Sequence, residues 1–359
     1  MAPVYLAIVG LGGVGKAFLN QLATLKLQTA SRPVIVFASR SSKQIYNKNY
    51  DSVDVTTLDS SSSPLLSLPD LTTYLAGAPG KVVLVDNTSN QDIANAYPSF
   101  LRKGISVVTP NKKAFSSNLQ LWDDIFNSTS PSALVYHESS VGAGLPVIST
   151  LKDLVATGDQ ITKIQGVFSG TMSFLFNTFA PVDGSGKGKW SEIVSQAKDA
   201  GYTEPDPRDD LNGMDVARKC TILARLAGLK VAGPDSFSVQ SLIPKQLESA
   251  SSAAEFMEKL PQYDGEMESY KENAAKAGKV VRFVASVDVA ANEVKVGLEM
   301  VDKDSPIAAL KGSDNIFVFH TQRYSSSPLV VQGSGAGGEV TAMGVSADLI
   351  KAIERLSSD

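Results

Sequence analysis

The first 150 residues alternate nearly all-apolar runs with amphipathic stretches, and few folds accommodate that rhythm. VYLAIVG, VIVFAS, VVLVDNTS, ISVVTPN and ALVYHES read as strands buried on both faces. KAFLNQLATL and NQDIANAYPSFLRKG read as the helices between them. Strand and helix in turn predict an α/β domain with a doubly wound, mostly parallel sheet. The serine run at 60–64 reads as a surface loop. After about residue 150 the rhythm changes. KIQGVFSG, VVRFVASVDV, EVKVGLEMV, NIFVFHTQRY and PLVVQGSG predict a second, mixed sheet. Helices are expected at TMSFLFNTF, WSEIVSQAKDAG and LNGMDVARKCTILARLAG, the last two ending at a glycine suited to a left-handed cap. Acidic helices fill roughly 250–277, and a glycine-rich turn leads into a final helix.

Between the first strand and first helix lies the loop Gly10-Leu11-Gly12-Gly13-Val14-Gly15. Its G-x-G-x-x-G spacing predicts a dinucleotide site. Gly10 permits the tight turn, Gly12 lets backbone approach the pyrophosphate, and Gly15 lets helix and strand pack closely. A glycine turn with no ligand is the plainer reading. The same letters nearly spell a phosphate loop, but Ala17 stands where a magnesium-binding Ser or Thr belongs, so Lys16 reads as a solvated helix residue. The second strand ends in Ser39-Arg40-Ser41 rather than in a carboxylate. A carboxylate there would bind a ribose 2′-hydroxyl and repel a 2′-phosphate, whereas Arg40 would bind the phosphate, so NADP is preferred to NAD. The alternative for Arg40 is an exposed loop residue.

Ligands of open parallel sheets bind beyond the carboxyl ends of the strands. Three polar loops fall there: DNTSN with Thr88 and Ser89, TPNKKAF with Lys112 and Lys113, and HESSVGAGLP with Glu138. The last would offer a carboxylate and free carbonyl oxygens to a hard cation. Ordinary turn chemistry accounts for any one of them alone.

GYTEPDPRDDLNGMDVARK, residues 201–219, crowds carboxylates ahead of one lysine. Asp209 or Asp210 would cap the following helix, placing Asp215 and Lys219 at i and i+4 on one face. Glu204 sits in a loop stiffened by Pro205 and Pro207. Carbonyl reduction needs a hydride and a proton at the developing alkoxide, and a lysine in a cleft can donate that proton or stabilise the oxyanion. The carboxylates would then hold a substrate ammonium. An exposed Asp–Lys pair, contributing about 0.2–0.5 kcal/mol, is the alternative.

Together with VGLGGVGKAF, DNTS, TPNKKAFS, YHESSVGAGLP, QGVFSGTMSFLFN and PLVVQGSGAG, this stretch closely resembles the homoserine dehydrogenases, particularly their short fungal form. The resemblance runs along nearly the whole chain. It implies interconversion of L-aspartate 4-semialdehyde and L-homoserine with NAD(P)H, a step toward threonine, methionine and isoleucine. It implies a homodimer with a Rossmann-type dinucleotide domain at 1–149, an α+β catalytic and dimerisation domain at 150–330, and a C-terminal helix at 331–359 returning to the first domain. It assigns Lys219 as catalytic lysine, Lys113 as a second lysine at the reacting oxygen, and Asp210 as a further acidic site residue. Glu204 and Asp215 match the homoserine-binding carboxylates. Gly201 and Gly335 match cofactor-side positions beside Gly10, Gly12, Gly13, Val14, Gly15, Arg40, Ser41, Thr88, Ser89 and Lys113. Glu138, Val141, Ala143 and Leu145 match the ligands of a monovalent cation, typically sodium. Neither an aspartokinase nor an ACT domain is expected.

Composition narrows the rivals. Basic residues number 33 and acidic ones 37, for a net charge of −4, with no basic block to suit nucleic acid. No apolar run approaches membrane-spanning length, the N-terminus enters a strand too soon for a leader, and the single cysteine fits a reducing compartment, so a cytoplasmic enzyme is expected. One cysteine excludes an internal disulfide, and with two histidines argues against zinc. An aspartate-semialdehyde dehydrogenase would need Cys220 as its nucleophile. A non-catalytic NADP-binding sensor is the other rival.

Overall fold

A computed structural model describes residues 3–27, 33–60, 63–127 and 132–358. The chain divides into two compact units, one of residues 1–148 with 336–359, the other of 149–335. Within the serine run, Ser61 and Ser62 lie outside the described residues.

The first unit holds a six-stranded sheet of β1 (Tyr5–Val9), β2 (Val34–Arg40), β3 (Lys43–Tyr46), β4 (Val82–Asp86), β5 (Ile105–Val108) and β6 (Val135–Tyr136). Their order is β3-β2-β1-β4-β5-β6, with every pairing parallel except β2 with β3. β1 and β4 are buried along their whole length, which is why YLAIV and VVLV are continuous apolar runs. The expected fifth strand is short: ALVYHES keeps only Val135–Tyr136, and Glu138–Ser140 form a single 3₁₀ turn. β3 was not anticipated, because KQIY is too short and too polar to stand out.

Helices Gly13–Leu22 and Gly338–Ser358 pack against each other in this unit. The second presents Ala342, Val345, Leu349, Ala352, Ile353 and Leu356, spaced at three and four residues, to a core containing Leu6, Ile8, Phe18 and Val83. Gln21 Nε2 donates to Glu339 O at 3.0 Å, and Ser346 Oγ donates to Gln21 Oε1 at 3.0 Å.

The second unit holds β7 (Ile161–Val167), β8 (Ser238–Val239), β9 (Lys279–Asp288), β10 (Glu293–Asp302), β11 (Asp314–Thr321) and β12 (Leu329–Ser334). The order is β12-β11-β7-β9-β10-β8, antiparallel except for the pair β8–β10. Helices Gly170–Phe179, Met214–Leu226 and Asp264–Lys276 pack on β9. Arg282, mid-strand in β9, is 1% exposed. Its guanidinium donates to the carbonyls of Ala180, Val281 and Ala308 at 2.8, 2.8 and 3.2 Å. Burial lowers its pKa to about 10.

One expectation fails. LNGMDVARKCTILARLAG is not one helix capped by Asp209 or Asp210. A short helix, Arg208–Leu211, ends before Gly213, which takes φ 74°, and a new helix runs Met214–Leu226. Asn212 Oδ1 accepts the Met214 N–H at 2.8 Å, the backbone turns at a glycine that tolerates positive φ, and the Asp210 carboxylate is used elsewhere. The helix ends were read correctly: Gly201 and Gly228 follow their helices at φ 73° and 97°.

At Gly15 the first helix closely approaches the turn that follows β1. A Cβ there would lie 2.0 Å from Gly10 O, whereas one on Gly12 would meet nothing within 4 Å. Gly15→Ala is expected to destabilise the first unit by about 1–3 kcal/mol, as overpacking does. Gly12→Ala should leave thermal unfolding unchanged, and equal melting curves for the two variants would refute this account.

Candidate functional site

In the first unit the helix Gly13–Leu22 begins without a side-chain cap, so its first-turn N–H groups are open to an anion. Gly10 takes φ 89°, and its N–H donates to Ser39 O at 2.9 Å, tying the glycine loop to the end of β2. Gly12 and Gly13 are exposed, Val14 is half-buried, and Lys16 is exposed. A cleft of about 760 Å³ is lined by Gly10, Arg40, Ser41, Thr88, Ser89 and Lys113, among others. Next to Thr88 in the chain, both polar atoms of the Asn87 amide are buried without a hydrogen-bond partner among the described residues. The uncapped helix start, the open space over Gly12 and Gly13 and the orphaned amide all fit a dinucleotide. Arg40, the last residue of β2, pairs through its guanidinium with Asp59.

The loops carrying Thr88 and Lys113 are joined by a buried network absent from the sequence reading. Asp86, 0% exposed at the end of β4, accepts hydrogen bonds from Tyr97 Oη at 2.5 Å, Thr88 N at 2.8 Å and Asn111 Nδ2 at 3.1 Å. Thr109 Oγ1 donates to Asp86 O at 2.8 Å, and Asn111 Oδ1 accepts the Lys113 N–H at 3.1 Å. Burial, then the Asp86 charge, holds the Tyr97 phenol well above its ordinary range. An aspartate closing an apolar strand was the available signal, since a buried carboxylate must gather donors.

The turn 138–145 is clamped by the helix Gly338–Ser358. Glu138 N donates to Asp348 Oδ2 at 2.7 Å, and Ser139 Oγ donates to Thr341 O at 2.9 Å. Glu138 Oε1 accepts Ile148 N at 2.7 Å. Ala143 takes φ 53°, and the carbonyls of Val141 and Ala143 accept no hydrogen bond among the described residues. The Leu145 carbonyl accepts Val147 N at 2.8 Å. Open carbonyls beside a carboxylate suit a hard cation.

In the second unit Lys219 is 6% exposed. Its Nζ donates to Phe168 O at 2.6 Å and lies 2.8 Å from Asp215 Oδ2, whose side chain is 49% exposed. The i,i+4 pair is therefore not a solvated helix face; its cation is buried. Asp210 Oδ2 accepts Glu204 N at 2.8 Å, and Asp210 Oδ1 lies 2.9 Å from Thr171 Oγ1. Burial raises the Asp210 pKa. Glu204 and Gly201 are exposed in the same loop. One unit thus brings together Lys219 with Asp215, and Asp210 with the backbone of Glu204. Phe168 was missed, because its contribution is a main-chain carbonyl that no residue type announces. Gly335 packs on Asn315, where an added Cβ would lie 2.2 Å from Nδ2. Cys220 is wholly buried, and burial pushes its thiol far above the usual range, which disfavours a nucleophilic role.

Residues 10–137 match the family model "Homoserine dehydrogenase, NAD binding domain", and residues 146–350 match "Homoserine dehydrogenase". The homoserine dehydrogenase of Emericella nidulans is 61% identical over 99% of this chain and 100% of its own length. A Candida auris protein described as of unknown function superposes with a TM-score of 0.94 at 50% identity, covering 99% of each chain. A hyperthermophilic archaeal homoserine dehydrogenase mutant solved with NADPH shares the fold, with a TM-score of 0.73 at 23% identity over 99% of this chain and 98% of that one. Two adjoining domain matches in the right order, with a full-length relative at 61% identity, place this chain in the homoserine dehydrogenase family.

Proposed function

We propose that this chain interconverts L-aspartate 4-semialdehyde and L-homoserine as an NAD(P)-dependent oxidoreductase acting on a CH–OH group. The buried ammonium of Lys219 carries the reading, held by the Asp215 carboxylate and the Phe168 carbonyl within the matched family region. The nicotinamide cofactor, when bound, gives or accepts the hydride. Lys219 supplies the proton to the developing alkoxide, or recovers it in the reverse direction. Lys113 is a second cation at the reacting oxygen. Glu204 and Asp215 hold the substrate ammonium. Asp210 orders the Glu204 loop through the Glu204 N–H.

Gly10, Gly12, Gly13, Val14 and Gly15 cradle the pyrophosphate at the uncapped helix start, with Thr88, Ser89, Gly201 and Gly335 on the cofactor side. Arg40 and Ser41 take the 2′-phosphate of NADP, the preferred cofactor. Glu138 and the carbonyls of Val141, Ala143 and Leu145 hold a monovalent cation, sodium by preference, and so fix the turn that the C-terminal helix clamps. The working form is a cytoplasmic homodimer; no described helix is long and apolar enough to cross a membrane. Thioester chemistry at Cys220 is disfavoured by its burial.

NADPH consumption with aspartate semialdehyde, repeated with NADH and with sodium or potassium varied, tests the activity; absence of turnover refutes it. Lys219→Ala should lower kcat about 10²–10⁴-fold, with KM changing by less than about tenfold. Near-wild-type turnover removes the lysine from the chemistry. Arg40→Asp should weaken NADPH binding at least about tenfold while sparing NADH. NADPH affinity that survives the charge reversal contradicts the 2′-phosphate assignment.

A further inference from the structure

Arg40 closes β2 and Lys43 opens β3, and the two are direct partners in the antiparallel pair. Opposed residues of such a pair project to the same face, where two like charges repel. Asp59, from the chain just after the 3₁₀ turn Val55–Thr57, spans both. Its Oδ1 pairs with Arg40 Nη2 and lies 3.3 Å from Lys43 Nζ, which also donates to Asp59 O at 3.1 Å. The side chains are 37%, 37% and 61% exposed, so the cluster faces water and its partners can exchange. The hydrogen bond from Lys43, with the Arg40 charge, lowers the Asp59 pKa and keeps the carboxylate ionised at neutral pH.

We propose that Asp59 determines cofactor selectivity, serving as an internal counter-ion that competes with the 2′-phosphate of NADP for Arg40 and Lys43. This rests on the assignment of Arg40 to that phosphate. The carboxylate oxygen that bridges Arg40 and Lys43 engages the same donors that would hold a 2′-phosphate. A 2′-phosphate, close to two negative charges at neutral pH, must displace the carboxylate or sit beside it, and either weakens binding. NADH brings no such charge and leaves the Asp59 bridge intact. Two cations therefore favour NADP while one carboxylate tempers the preference.

The test is titration of the intact protein with NADPH and with NADH, for wild type, Asp59→Asn, Asp59→Ala and Arg40→Ala. Both Asp59 variants should bind NADPH roughly three- to tenfold more tightly and NADH within about twofold of wild type. The gain should shrink as salt is raised, because exposed charges are screened. If Arg40→Ala weakens NADPH binding but the Asp59 variants bind it no better, the counter-ion proposal falls while the role of Arg40 stands. A gain in the Asn variant alone points to a new hydrogen bond and overturns the proposal. If Arg40→Ala binds NADPH as wild type does, both fall.

Discussion

An ammonium taken out of water must be surrounded by oxygen, and much of the second unit's local geometry answers that demand at Lys219. Desolvating a charge costs several kcal/mol, and leaving it unpaired costs more. The carbonyl of Phe168, just past the end of β7, and the carboxylate of Asp215, one turn earlier on the same helix, meet it together. Asp215 and Lys219 share that face as i and i+4 of the helix Met214–Leu226, whose first turn follows the break at Gly213. The break also releases Asp210 from a capping role, and its carboxylate orders the Glu204 backbone instead.

The first unit follows the same rule with the sign reversed. Asp86 is wholly buried, and its donors come from Thr88, Tyr97 and Asn111. A satisfied buried network of this kind rigidifies what it joins. Here it joins the two loops that carry Thr88, Ser89 and Lys113, so a single carboxylate sets the spacing of groups on different strand ends. Charge at the rim behaves differently: the half-exposed Arg40 and Lys43 pair with the exposed Asp59.

Much of this was legible from residue order. β1, β4 and β5 are mostly apolar because both their faces are covered, and the glycine loop falls between strand and helix as its spacing requires. The helix ends at Gly201 and Gly228 were legible because only the left-handed region needed explaining there. What escaped was tertiary. LNGMD reads equally well as a continuous helix; the contact of Asp210 with Thr171, and a local turn in which Asn212 accepts the Met214 N–H, decided against it. Arg282 looks like a solvated strand residue until three carbonyls are seen converging on it. The names of the chemically active side chains came from family resemblance; the partners that hold them came only from coordinates.

The helix Gly338–Ser358 covers the hydrophobic face around Leu6, Ile8 and Phe18, yet the whole of the second unit is translated before it. While the ribosome is still making residues 149–335, the nascent N-terminal unit carries an uncovered patch of its own core. Domains generally fold in order of synthesis, but this one cannot finish until its closing segment has left the exit tunnel. Until then its partly built core leaves apolar surface open, the condition in which chains associate wrongly.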